Sequence, residues 1–148
     1  MSDRARREAG AVGRIVGLAH IGVAVSSLEP AIERWTASLG FVHEETETLE
    51  SMGLRVAFLS AGGVTVELLE PTRPDSVVAA FLAKRGEGIH HVSFAVDDIE
   101  AALARAEAAG LELLDRTPRE GSHRTRIAFL HPKSLGGVLV ELCERRMA

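Results

Sequence analysis

Along LAHIGVAV (18–25), Ile21, Val23 and Val25 point one way while His20, Gly22 and Ala24 point the other. That alternation predicts a strand with one bulky face and one nearly bare face. The period then lengthens. Leu28, Ile32, Trp35 and Leu39 recur at helical spacing, with Ser26 or Ser27 as cap, Pro30 in the first turn and Gly40 as the stop. Three strand-like stretches follow at 41–49, 54–60 and 63–70, the last two separated by a Gly62-Gly63 hairpin signal. A short helix is expected from about Ser76 to Lys84, capped by Asp75 after Pro74. Then the pattern restarts. Over 90–96, His91, Ser93 and Ala95 share one side of a strand, and Val92, Phe94 and Val96 the other. A helix carrying Ile99, Leu103 and Ala106 ends at Gly110, and strands are expected near 111–117, 125–130 and 137–143.

The restart is an internal repeat, and it decides the fold class. HIGVAVSSLEPAIERW (20–35) aligns without a gap on HVSFAVDDIEAALARA (91–106), an offset of 71 residues. Both halves close on a similar strand, VTVELLE (64–70) and VLVELCE (138–144). The expected architecture is α+β: two tandem βαβββ modules, 15–73 and 86–145, joined by a helix at about 75–84. Together they make one domain, its curved mixed sheet wrapped around a cleft. Residues 1–14, charged and without an apolar stripe, are expected to be a flexible N-terminal extension.

Composition narrows the class. A chain of 148 residues that is 46% hydrophobic can bury a sizeable core without disulfide or metal staples. Seventeen basic against 21 acidic residues give a net charge of -4, which argues against a nucleic-acid partner. A single cysteine, Cys143, excludes an intrachain disulfide and fits a reducing compartment. Strict alternation puts Cys143 on the face of Glu141, but its better reading is a small buried hydrophobe near a strand end. No apolar run approaches the ~20 residues that span a bilayer. The charged N-terminus has no apolar signal-peptide core, so a cytoplasmic chain without a membrane partner is expected.

Each module sets a histidine on its first strand and a glutamate on its last: His20 with Glu67, and His91 with Glu141. The two histidines lie on the faces lined by Gly22, Ala24, Ser93 and Ala95, where small side chains leave room for a ligand. A lone strand histidine is ordinarily a packed core or rim residue. A glutamate inside an apolar strand is harder to dismiss, because an unpaired buried carboxylate is costly. Two such glutamates at repeat-equivalent positions, each matched by a repeat-equivalent histidine, turn the balance toward a site. Two imidazoles and one or two carboxylates suit a divalent ion such as Co²⁺, Mn²⁺, Zn²⁺ or Ni²⁺. His90 is expected to point to the opposite face and to be no ligand. His43 is read as solvent-facing or structural, and His123 and His131 as loop residues at the cleft mouth.

The segments LAHIGVAV, VELLEPTRPDS, FLAKRGEGIHHVSFAVDDIEAAL and FLHPKSLGGVLVEL resemble the methylmalonyl-CoA epimerases of the vicinal oxygen chelate superfamily, over about residues 16–145. The resemblance implies the duplicated fold above, a homodimer and a place in propionate metabolism. It puts metal ligands at His20, His91 and Glu141 with Glu67 at the fourth site, for one divalent ion per chain: Co²⁺ first, then Mn²⁺, Zn²⁺, Ni²⁺ or Mg²⁺. The implied reaction inverts C2 of methylmalonyl-CoA by proton abstraction through a metal-stabilised enolate. Members with glutamine at the fourth site carry a catalytic glutamate on the neighbouring strand, at the position of Val56 here. That departure leaves the acid–base work to Glu141 and Glu67, or to ordered water. Lys133, Arg119, Arg124 and Arg126 are candidate contacts for the CoA phosphates, and Ser134 or a backbone N–H near Gly137 for the free carboxylate. Two other readings stay open: a glyoxalase-like lyase or isomerase acting on another small carbonyl acid, and a non-catalytic protein that binds a small ligand.

Overall fold

A computed structural model of the chain describes residues 12–145. By its internal contacts the chain falls into two units, one of residues 20–92 and one joining residues before 20 to those from 93 on. Most of the segment expected to be a loose extension lies outside the described residues. Its last three residues are held: Gly13 and Arg14 donate their backbone N–H groups to Asp97 Oδ1 at 2.7 and 2.8 Å, and Arg105 donates to the carbonyls of Val12 and Gly13.

Residues 20–92 run through the second half of β1 (Ile15–Ala24), α1 (Leu28–Leu39), β2 (Val42–Leu49), β3 (Leu54–Ala61), β4 (Val64–Pro71), α2 (Val77–Arg85) and the start of β5 (Gly88–Val96). The strand order is β2-β3-β4-β1, with β1 parallel to β4 and the other two pairings antiparallel. One sheet face buries Ala57, Leu59, Val66 and Leu68 against Leu28, Ile32 and Trp35 of α1. The other face packs Ala24, Leu54, Val56, Phe58 and Leu69 against Val78, Phe81 and Leu82 of α2. The cap of α2 is Ser76, whose hydroxyl accepts from the Val78 N–H at 3.2 Å. Asp75, expected in that role, pairs instead with Arg73 at 3.0 Å.

The other unit carries the end of β5, then α3 (Ile99–Ala108), β6 (Arg119–Glu120), β7 (Thr125–Leu130) and β8 (Val140–Arg145), with β6, β7 and β8 paired antiparallel. Its core joins Ile99, Leu103 and Ala106 of α3 to Ala128, Leu130, Val140 and Leu142. The strand expected over 111–117 does not form. Only a single bridge joins Leu113 to Leu130, and regular pairing is confined to Arg119 and Glu120. Two features replace the ladder. The Asp115 carboxylate takes the Phe129 N–H at 2.9 Å, and Pro118 has no N–H to give.

The repeat is visible in matched ion clusters. Ser27 makes no capping bond to α1; the first helical N–H, from Leu28, is taken by Glu70 at 2.8 Å. Arg55 bridges Glu70 at 3.0 Å to Glu29 at 2.6 Å. In the other unit Glu144 accepts the Ile99 N–H at 2.6 Å, and Arg126 bridges Glu144 to Glu100. The offset of 71 residues relates Leu28 to Ile99, Glu29 to Glu100 and Arg55 to Arg126. A carboxylate at a helix N-terminus satisfies an orphan donor and meets the positive end of the helix dipole. Glu70→Ala and Glu144→Ala should therefore each lower stability by about 1–2 kcal/mol, the size of a lost N-cap. Urea unfolding of each variant checks this, and an unchanged midpoint in either would show that the carboxylate contributes no cap.

Candidate functional site

The sheet register brings three of the expected site residues together within residues 20–92. Gly22 on β1 is level with Glu67 on β4, which is level with Phe58 on β3. Alternation puts His20, two residues before Gly22, on the same face. His20 Nδ1 lies 2.8 Å from Glu67 Oε2, and its Nε2 lies 2.9 Å from Nε2 of His91. The two rings meet edge to face, with centroids 5.1 Å apart and planes at 82°. His20, Glu67 and His91 are all buried.

Gly22 makes this arrangement possible. A Cβ at that position would come within 2.3 Å of His91 Cε1 and 2.6 Å of its Nδ1. The bare stretch of β1 read from the sequence is the bed of the second imidazole. Burial, with the neighbouring His20 and His90, pushes the His91 pKa down to about 2. The ring is therefore neutral near pH 7, the protonation state a metal ligand requires.

The donor set fits a divalent cation. Two imidazole nitrogens bound at ~2.1 Å and at right angles around one ion stand ~3 Å apart, close to the separation of the two Nε2 atoms. Glu67 on the outer nitrogen of His20 is the kind of carboxylate–histidine pairing that fixes an imidazole's tautomer, and it would leave Nε2 available to an ion. Val56, at the position expected to have lost a glutamate, is packed in the apolar cluster against α2 and brings no acid–base group.

Glu141 belongs to the other unit. It is buried on β8 and accepts a hydrogen bond from Ser93 Oγ at 2.7 Å, itself fully enclosed. Cys143 is buried two residues further along β8. The candidate substrate contacts lie in turns of this unit. Lys133 and Ser134 belong to the 3₁₀ turn Pro132–Leu135, and Gly137 follows at a φ of 93°. Ser134 Oγ takes the Glu112 N–H at 2.9 Å, so it braces the turn. Lys133 and Arg124 are exposed. Arg126 and Arg119 face protein carboxylates instead, Glu100 with Glu144 and Asp115 respectively.

His43 is exposed and bonds Thr46. His131 caps the 3₁₀ turn by accepting from the Lys133 N–H at 3.0 Å. His90 makes a contact that alternation does not suggest. Alternation does send its Cβ to the opposite face, yet its Nδ1 lies 3.0 Å from Nδ1 of His91. Long rings on adjacent residues can meet around a strand where short side chains cannot.

The family model for the glyoxalase/bleomycin resistance protein/dioxygenase superfamily matches residues 19–129. The chain is 42% identical over 127 residues to an uncharacterized protein, YqjC, of Bacillus subtilis (strain 168), covering 86% of this chain and 91% of that one. It is 37% identical over 134 residues to the mitochondrial methylmalonyl-CoA epimerase of Homo sapiens, covering 90% and 76%. A solved methylmalonyl-CoA epimerase in complex with methylmalonyl-CoA and NH4+ superposes with a TM-score of 0.84 at 42% identity, covering 89% and 96%.

Gly22→Ala isolates the role of the bare strand. The added methyl displaces His91 while leaving the α1 face of the sheet untouched, so the variant should fold with a loss of about 1–3 kcal/mol, the usual size of overpacking. Thermal melts measure that loss. The His91 imidazole resonances should shift well beyond those of other histidines in an NMR comparison, and unmoved resonances would refute the contact.

Proposed function

Since the chain belongs to the glyoxalase/bleomycin resistance protein/dioxygenase superfamily and, within it, to the methylmalonyl-CoA epimerases, we propose that it interconverts the R and S epimers of methylmalonyl-CoA by removing and returning the C2 proton. The observation that carries this reading is the buried pair of facing imidazoles, His20 and His91, braced by the Glu67 carboxylate. We propose His20, His91 and Glu141 as ligands of one divalent ion, with Glu67 at the fourth position through a carboxylate already engaged by His20. β5 supports the inclusion of Glu141: His91 and Ser93 are two residues apart on one strand face, and Ser93 holds Glu141.

When bound, a divalent cation supplies the positive charge that stabilises the negative charge developing on the thioester oxygen. The side chains do the rest. The two imidazoles would hold the ion through Nε2, and the carboxylates Glu67 and Glu141 would supply the negative charge facing it. Glu67 and Glu141, both buried, are the groups proposed to take the C2 proton and return one. Lys133 and Arg124, exposed on turns, are the proposed contacts for the CoA phosphates, and the Ser134–Gly137 turn for the free carboxylate.

On the same reading the ion is Co²⁺, with Mn²⁺, Zn²⁺, Ni²⁺ or Mg²⁺ able to replace it, and the enzyme serves propionate metabolism in the cytoplasm. Among the described residues no helix is long and apolar enough to cross a membrane. A homodimer is supported by the exposed Val16 and Leu18, which share one face at the start of β1 and suit contact with a second copy.

The deciding experiment incubates purified protein, a divalent ion and (2S)-methylmalonyl-CoA in deuterated water. Deuterium should enter C2, seen by mass spectrometry, and coupling to the mutase should consume the product; no exchange with any of the five ions would refute the reading. Glu141→Ala and His91→Ala should each lose bound metal and activity together while remaining folded. Metal content by mass spectrometry checks this, and full occupancy in either variant would remove that residue from the ligand set. Glu67→Gln can still ligate through oxygen but cannot accept a proton at neutral pH. It should keep its ion and lose on the order of 10²-fold in turnover, with exchange slowed far more for one epimer than for the other. Turnover near the wild-type value with metal bound would leave Glu67 a ligand only.

A further inference from the structure

His90 takes no part in the roles assigned so far, yet it is built into the site as firmly as Glu67. The two proposed histidine ligands face each other through Nε2, and each has a partner on its outer nitrogen. For His20 that partner is Glu67, at 2.8 Å. For His91 it is His90, whose Nδ1 lies 3.0 Å from Nδ1 of His91. The His90 ring is itself fixed from behind. It meets Phe81 of α2 edge to face, with centroids 5.0 Å apart and planes at 75°. Phe81 is packed against the cluster of Val56, Leu69 and Val78. Helix α2 is thereby linked by ring contacts, through Phe81 and His90, to His91.

A ligating imidazole has two nitrogens and gives one to the ion. What the other bonds to fixes the tautomer and the ring's rotation, and losing that bond typically costs 10–100-fold in metal affinity. We propose that His90 is a positioning residue for His91: its Nδ1 accepts the Nδ1–H of His91 and so turns the Nε2 lone pair of that ring toward the metal. Because its own proton then lies on Nε2, His90 orients the ring without bringing a charge. The two halves of the ligand pair are braced unequally, one by a carboxylate and one by a neutral imidazole.

The inference rests on the reading of His91 as a metal ligand, and two variants test it apart from that reading. His90→Phe keeps a ring against Phe81 but has no acceptor. His90→Asn places an amide oxygen close to where Nδ1 stood. Binding of Co²⁺ to the purified proteins, measured by calorimetry and by the visible absorption of the bound ion, should weaken by about 10–100-fold in His90→Phe. In His90→Asn it should return to within a few-fold of wild type, with both variants melting as cooperatively as the parent. Wild-type affinity in His90→Phe would overturn the proposal. Equal losses in both folded variants would also overturn it, by assigning the effect to the shape of the imidazole. Should His90→Phe fail to fold, nitrogen-15 spectra of the Zn²⁺-loaded wild type decide alone. They should show a proton on Nδ1 of His91 and on Nε2 of His90, and a proton on Nδ1 of His90 would refute the assignment. A wild-type protein that binds none of these ions would instead remove the ligand assignment beneath it.

Discussion

A carboxylate enclosed in a β-sheet must be matched by a donor, and the partners of Glu67 and Glu141 follow from that requirement. Glu67 and Glu141 are 8% and 4% exposed, on strands whose other members are largely apolar. Glu67 is matched by His20 and Glu141 by Ser93. Each partner sits on the first strand of its βαβββ repeat, opposite a face that packs a helix. A burial this costly is stable only where the geometry is kept, so the matched pairs also pin the register of the strands that carry them.

Three residues further along the same strands, Glu70 and Glu144 perform a different task with the same chemistry. They cap α1 and α3 and are held by Arg55 and Arg126. Each closing strand thus bears one carboxylate proposed for the chemistry and one that fastens the helix behind the sheet. The helix backs the strand that holds the histidine, so the second carboxylate supports the first through packing.

Much of this was legible in the residues. The alternation around His20 and His91, the ungapped repeat and the two closing strands sufficed for the βαβββ pattern and for the buried histidines and glutamates. What escaped was decided by side chains meeting at a distance. Pattern alone could not show that Asp115 would replace a ladder bond and dissolve the strand expected at 111–117. Local capping rules favoured Ser26 or Ser27 and Asp75, while the first donor of α1 is met by a glutamate 42 residues away and α2 is capped by Ser76. The contact of His90 with His91 escaped because alternation tracks Cβ atoms, and an imidazole extends far enough past Cβ to reach its neighbour's ring. Arg126 looked like a phosphate contact because its partners, Glu100 and Glu144, are distant in sequence.

The contact between Gly22 and His91 also bears on how this gene can drift. Every base change that replaces glycine specifies a stop or a residue with a Cβ, and a Cβ at position 22 falls inside the imidazole of His91. No gradual path leads from glycine through a smaller disturbance to a larger one, because alanine already presents the offending atom. Position 22 is therefore closed to single-step change for as long as His91 keeps its place. A lineage could abandon it only by first giving up the second histidine, and with it the site.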